Sequence, residues 1–379
     1  VLQGSLVVRD EVVEGQVVVE QGVITEVVEG DPVYTATDDY GHALITPGLI
    51  DVHVHGIAGA DVMDGTSASI DRMAERFARH GVTGFLPTTV SQSLDLTLAA
   101  IDSILASMRA PDEGRAAILG IHLEGPFLNR AFKGMQHEDF LLAPSTEIAR
   151  RLMDAAAGQV RRFSLAPELP GAESVIDLCV EAGIAVSIAH TGATYEGAVD
   201  AIQRGARHVT HCFNAMTGLH HREPGVAGAA LTEPALIAEL VADGIHVHPA
   251  VMRLLVQAKG RDGVMLVTDS MSAADMPDGA YRFGGHEVQV RNGIARLTDG
   301  TLASSTLTMD GAVRTMISAC GISLTDAIYM GATTPAAAIG YGNTKGRIAP
   351  GYDADLAVFT SSLHPQATWV GGRQVFVAE

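Results

Sequence analysis

Cysteine, tryptophan and cationic side chains are the scarce residues of this 379-residue chain. Its three cysteines, Cys179, Cys212 and Cys320, lie far apart without a C-x-x-C pair, which argues against a disulfide framework and a thiolate zinc site and fits a reducing cytoplasm. Lys and Arg total 25 against 44 Asp and Glu, a formal charge of -19 that repels polyanions, so no nucleic-acid partner is expected. No apolar run is long enough to span a bilayer, and the first residues lack the basic start and apolar core of a secretory leader, so no membrane partner is expected either. Low-complexity tracts, linkers and repeats of solenoid period are missing as well.

What remains is the composition of a tightly turned globular protein, with 47% hydrophobic residues, 18% charged residues and 41 glycines. Residues 5–28 give short apolar runs separated by Glu14-Gly15 and Gln21-Gly22, and 351–376 returns to the same pattern. The two chain ends therefore predict one small β-sandwich module, 1–44 with 350–379. Between them, strand-like runs alternate with helical stretches such as 69–80, 145–157 and 196–204. The runs are 45–55, 82–89, 117–124, 162–167, 185–190, 208–213, 236–242 and 264–269. Eight βα units predict a (β/α)8 TIM barrel over 45–349, with reactive groups at the strand ends. Residues 285–297, with Asn292-Gly293 at their centre, read as a hairpin excursion.

The reactive residue types fall at those ends. Period-2 geometry sends His53 and His55 to the same side of the first run, a pair suited to a divalent metal or to ordinary hydrogen bonding in a barrel mouth. The third run delivers Glu124 before a Gly125-Pro126 turn, and the fifth and sixth deliver His190 and His211. Together Glu124, His190 and His211 make a three-ligand site with room for water, for which zinc is the first expectation and iron or another divalent ion the alternative. His122 shares Glu124's parity and reads as a supporting residue. The eighth run ends in Asp269, the candidate general base and acid, whose bland alternative is a turn cap. A metal-activated water attacking an amide, with Asp269 returning the proton to the leaving amine, needs no Ser or Cys nucleophile.

These residues, with the segment Gly346-Arg347-Ile348-Ala349-Pro350-Gly351-Tyr352-Asp353-Ala354-Asp355, resemble the amidohydrolase superfamily. Within it, His122-Leu123-Glu124-Gly125-Pro126-Phe127, Thr210-His211-Cys212-Phe213-Asn214-Ala215-Met216, Arg222-Glu223-Pro224-Gly225 and Asp243-Gly244-Ile245-His246 resemble the N-acetylglucosamine-6-phosphate deacetylases over essentially the whole chain. The resemblance implies that Glu124, His190 and His211 hold the principal metal, that His53 and His55 allow a second, and that Asp269 shuttles the proton. It implies a sugar-phosphate substrate whose acetamide is hydrolysed to acetate and glucosamine 6-phosphate. Arg222, reaching in from a neighbouring subunit of a homodimer or higher oligomer, and His246 would take the phosphate, and Asn214 and Ala215 would line the ligand. In Lys133-Gly134-Met135-Gln136-His137 the family pattern points to Gln136 for the carbonyl, while chemistry also accepts His137. Ser304 and Ser305 read as a substrate-lining turn. The rivals are an amidohydrolase for another amide and a silent metal-binding scaffold.

Overall fold

The computed structural model of the protein describes residues 1–110 and 114–378. Eight parallel strands follow one another around a barrel: Leu49–Val54, Val82–Thr89, Ile121–Glu124, Val160–Leu165, Ala185–Ile188, His208–Val209, Ile237–Val241 and Val264–Val267. The circle closes between first and eighth strands, where Asp269 N–H donates to the His53 carbonyl at 2.9 Å and His55 N–H to that of Ser270 at 2.9 Å. Deeper in the closure, Thr268 Oγ1 donates to Asp51 Oδ2 at 2.5 Å. The strands are buried almost throughout because helices cover the outside of a parallel barrel and leave little of either face wet; every residue of Val82–Thr89 is buried.

The helices form where cap and periodicity agree. In Ser67–Ala78, Thr66 accepts from the Ser69 N–H, and Ile70, Met73, Ala74 and Phe77 bury one stripe. Phe77 packs on Phe85 of the second strand with ring centroids 4.8 Å apart. Truncating Phe77 to alanine would cost about 3–5 kcal/mol. The predicted helices at 145–157 and 196–204 are Thr146–Ala155, capped by Ser145, and Tyr195–Arg204, capped by Thr194 and ended by Gly205 in the left-handed region.

The chain ends form one continuous seven-stranded sheet with its own apolar cluster, including Leu6, Val17, Ile24, Leu356 and Val358. The single run expected at 45–55 is divided in the structure: Asp38–Pro47 lies in this terminal sheet, and the barrel strand starts at Leu49. The crossing point is Gly48, where a Cβ would stand 2.2 Å from the Thr83 side chain, and where the N–H donates to the Asp355 carbonyl at 2.9 Å. The hairpin expected at 285–297 is present and gains a third strand, as Gly279–Phe283 pairs with His286–Arg291, which pairs with Ile294–Arg296. Its tight turn is Asn292-Gly293, with φ of 52° and 70°.

Candidate metal centre and active site

Three site residues stand where an extended strand breaks. His190, His211 and Asp269 have φ of 44°, 30° and 47°, a left-handed conformation that costs a non-glycine residue about 1–3 kcal/mol and persists only where surroundings impose it. The structure brings the five expected ligands and the expected proton carrier Asp269 together in two adjoining buried groups: Glu124 with His190 and His211, and His53 with His55 and Asp269. In the first, Glu124 Oε1 lies 3.4 Å from His190 Nε2 and 3.3 Å from His211 Nε2, and the two nitrogens are 3.1 Å apart. In the second, the Nε2 atoms of His53 and His55 are 3.2 Å apart, and Asp269 Oδ1 is 3.2 Å from that of His55. Glu124 touches both groups, its two oxygens each 3.6 Å from an imidazole of the His53/His55 pair.

The donor set fits a divalent cation. His55 and His190 direct Nδ1 at the backbone carbonyls of Thr88 and Phe132, both at 3.0 Å, and a carbonyl can only accept. The proton therefore sits on Nδ1 and the Nε2 lone pair aims inward, the arrangement a ligating imidazole needs. Lone pairs facing one another at these separations repel unless positive charge lies between them. Glu124 Oε1, buried and without a hydrogen-bond partner, makes the same demand. The field agrees. Burial disfavours a charged His53, yet Glu239, Asp269 and Glu124 around it raise its pKa to about 10. Burial likewise opposes ionisation of Glu124 and Asp269, but the surrounding imidazoles, His53 foremost, hold Glu124 well below the usual carboxylate range and lower Asp269 too.

A cavity of about 360 Å³, of a size for a monosaccharide-scale ligand, opens over this centre. Its wall includes Gln136, Asn214, Ala215 and His246, together with Phe132, Gly134, Phe283 and Ser304. Gln136 is buried, donating to Glu124 Oε2 at 2.8 Å and accepting from the Ser91 N–H at 2.8 Å. His137 lies outside the wall, stacked on His286 at 5.1 Å and capping a short turn through Nδ1. Asp243 Oδ2 holds His246 Nδ1 at 2.7 Å. Arg222 is exposed, bonded to His221, and does not reach this chain's own cavity. The Ser304 hydroxyl is shared between the Asp269 backbone carbonyl and, at 3.1 Å, Asp269 Oδ1, and the Ser305 N–H donates to the Asp269 carbonyl at 2.8 Å. His122 stays out of both groups, its Nε2 2.7 Å from Ser164 Oγ. Burial first, then the nearby Arg162, hold its pKa well below the usual value.

The profile of the Amidohydrolase family matches residues 44–375. The chain belongs to the amidohydrolase family. It is 38% identical to the N-acetylgalactosamine-6-phosphate deacetylase of Escherichia coli O157:H7 over 94% of each chain. It is 37% identical to the N-acetylglucosamine-6-phosphate deacetylase of Bacillus subtilis (strain 168), covering 89% of this chain and 86% of that one. Among solved structures, the N-acetyl-D-glucosamine-6-phosphate deacetylase of Mycobacterium smegmatis, in complex with N-acetyl-D-glucosamine-6-phosphate, superposes with a TM-score of 0.94 at 32% identity over 99% of each chain. As an amidohydrolase, the chain is a hydrolase whose buried His and carboxylate groups suit a divalent metal.

Several residues that shape the centre were not singled out from the sequence. Glu239 and Arg162 are fully buried inside the barrel, and Glu239 Oε2 accepts from His53 at 2.9 Å. For Glu239 the available signal was a charge inside the otherwise apolar run 236–242, whereas Arg162 opens its run beside Arg161 and carries no such signal. Phe283 comes from the hairpin, its ring 5.3 Å from that of His55. No spacing rule connects that excursion to the barrel mouth.

Proposed function

We propose that this amidohydrolase removes the acetyl group of N-acetylglucosamine 6-phosphate, giving acetate and glucosamine 6-phosphate. The reading rests on one observation above all: two His/carboxylate groups meet at the floor of a sugar-sized cavity whose wall also carries His246. Glu124, His190 and His211 would hold the principal ion, and His53, His55 and Asp269 a second. The donors favour zinc, with iron or another divalent ion as the alternative. When bound, such an ion polarises a carbonyl and acidifies a water.

The chain's own residues do the rest. Asp269 takes a proton as water adds to the acetamide carbon and returns it to the departing amine, without which C–N cleavage stalls. Ser304 fixes the carboxylate for that exchange. Gln136, anchored at both ends of its amide, offers its second N–H to the carbonyl oxygen, a reading supported by its burial beside Glu124. Asn214 and Ala215 line the sugar. His246, steadied by Asp243, takes the phosphate with Arg222 of a second copy in a homodimer or larger oligomer. The three buried, unpaired cysteines suit a reducing cytoplasm. Among the described residues no helix is long and apolar enough to cross a membrane.

The test is acetate release from N-acetylglucosamine 6-phosphate, its galacto epimer and the unphosphorylated sugar, after chelation and again after zinc is returned. Activity that vanishes on chelation, returns with zinc and needs the phosphate is expected. No acetate from the zinc-loaded chain would end the deacetylase reading, and equal kcat/KM without the phosphate would end the assignment of Arg222 and His246.

A further inference from the structure

Among the described residues, Glu239 is the carboxylate that bonds to both metal-ligand groups from behind. Its Oε2 accepts from His53 Nδ1 at 2.9 Å and from the backbone N–H of His211 at 2.8 Å. One hydrogen bond thus sets which nitrogen of His53 faces the centre, and the other pins His211 in its left-handed φ of 30°. The other oxygen, Oε1, accepts from Arg162, whose second amino group reaches Ser187 Oγ at 3.2 Å. The contacts of Glu239 with His53 and Arg162 cross the interior of the barrel, because the first, fourth and seventh strands are not neighbours in the sheet. Both partners are wholly buried. Replacing a buried ion pair by apolar side chains is often neutral or stabilising, so a gain in stability is a weak account of why the pair is there. Orientation is the better one, since each oxygen of Glu239 has a defined partner and two of the three partners belong to metal-ligand residues.

We propose that Glu239 is a positioning residue whose one acceptor oxygen couples the two ligand groups, so that both lose cation affinity together when that oxygen is removed. The proposal rests on the metal-centre reading above. It gives His53 a fixed ring orientation without any contact between Glu239 and substrate. It also makes the two half-sites interdependent, a property that neither ligand set has by itself.

The experiment uses the full chain, stripped of metal, and Co(II) as the probe, followed by its visible absorption and by metal content after dialysis. Two charge-neutral pairs are compared, Arg162→Met with Glu239→Leu and Arg162→Met with Glu239→Gln. The leucine pair lacks the acceptor and should bind Co(II) about 10–100-fold more weakly in both steps. The glutamine pair keeps an amide oxygen for His53 and His211 and should recover to within about threefold of the parent. Thermal melting of the metal-free chains should leave the two pairs within a few degrees of each other. Co(II) affinities that are unchanged in the leucine pair, or equally reduced in both pairs, would overturn the coupling while leaving the metal centre intact. A parent chain that binds no divalent ion at all would instead overturn the metal-centre reading, and the coupling with it.

Discussion

Raising the pH should strip stability from this protein through one imidazole remote from the metal centre. His80 follows the first barrel helix, with Nδ1 3.1 Å from Asp310 Oδ1 and Nε2 3.2 Å from Asp275 Oδ2. Burial alone would lower its pKa, but hydrogen bonds to the two carboxylates outweigh it and raise the value from 6.5 to about 9. A folded-state pKa above the unfolded one means the stabilisation is complete below pH 6.5 and disappears as pH climbs through about 9. The side chain is only 16% exposed, so little of the effect is lost to solvent screening. The 2.5-unit difference between those two values corresponds to about 3 kcal/mol. The partners shift the other way and do not enter this window: Asp275, hydrogen-bonded by His80, falls to about 2. Their contributions are present above the ordinary carboxylate range and fade only in strong acid.

The perturbation is His80→Gln, which keeps the size and removes the titration. Urea unfolding of parent and variant, read by circular dichroism in excess chelator so that metal binding drops out, should differ most at pH 6. By pH 9.5 the difference should shrink by about 3 kcal/mol. A difference that does not change with pH would refute the reasoning. Asp275 lies in the segment after Asp269, so the same loss should make catalytic activity less heat-resistant at high pH.

Other outcomes follow from the site. Asp269→Asn should keep at least the Glu124/His190/His211 ion while lowering turnover by about 10²–10⁴, measured by metal analysis beside acetate release; normal turnover would remove the proton-shuttle role. Gly134→Val adds a Cβ 3.3 Å from His190 Cε1 at a φ of 56°, so kcat/KM should drop by about tenfold, with the barrel's melting temperature little changed. Ser304→Ala removes a hydrogen bond to an ionised carboxylate and should lower kcat by about 10–100-fold, leaving KM nearly constant. If Arg222 serves a neighbouring copy, mixing inactive Arg222→Ala and Asp269→Asn chains should restore about a quarter of the active sites of a dimer, whereas no recovery would place Arg222 elsewhere.

The fold class and most of the centre were legible because a parallel barrel writes itself into the chain as apolar runs at βα spacing. His53, His55, Glu124, His190, His211 and Asp269 stood out as polar residues at the ends of such runs, and the structure gathers all six. The break at Gly48 was not legible. Residues 45–47 are as apolar as those that follow, and whether a strand joins one sheet or another depends on partners elsewhere in the chain. For Lys133-Gly134-Met135-Gln136-His137, spacing left two candidates. Packing places them differently, Gln136 buried against Glu124 and His137 turned to His286.

Local pattern thus determined the strands, the helix caps, the Asn292-Gly293 turn and the residue types available for chemistry, because these depend on neighbours a few residues away. Only tertiary structure decided that Glu239 stands behind both His53 and His211, that Phe283 roofs His55, and that Arg222 lies outside the wall of its own chain's cavity. Those relations join residues far apart in sequence. Barrel closure and side-chain packing fix them at once, and no periodicity in the chain encodes a distance across the barrel.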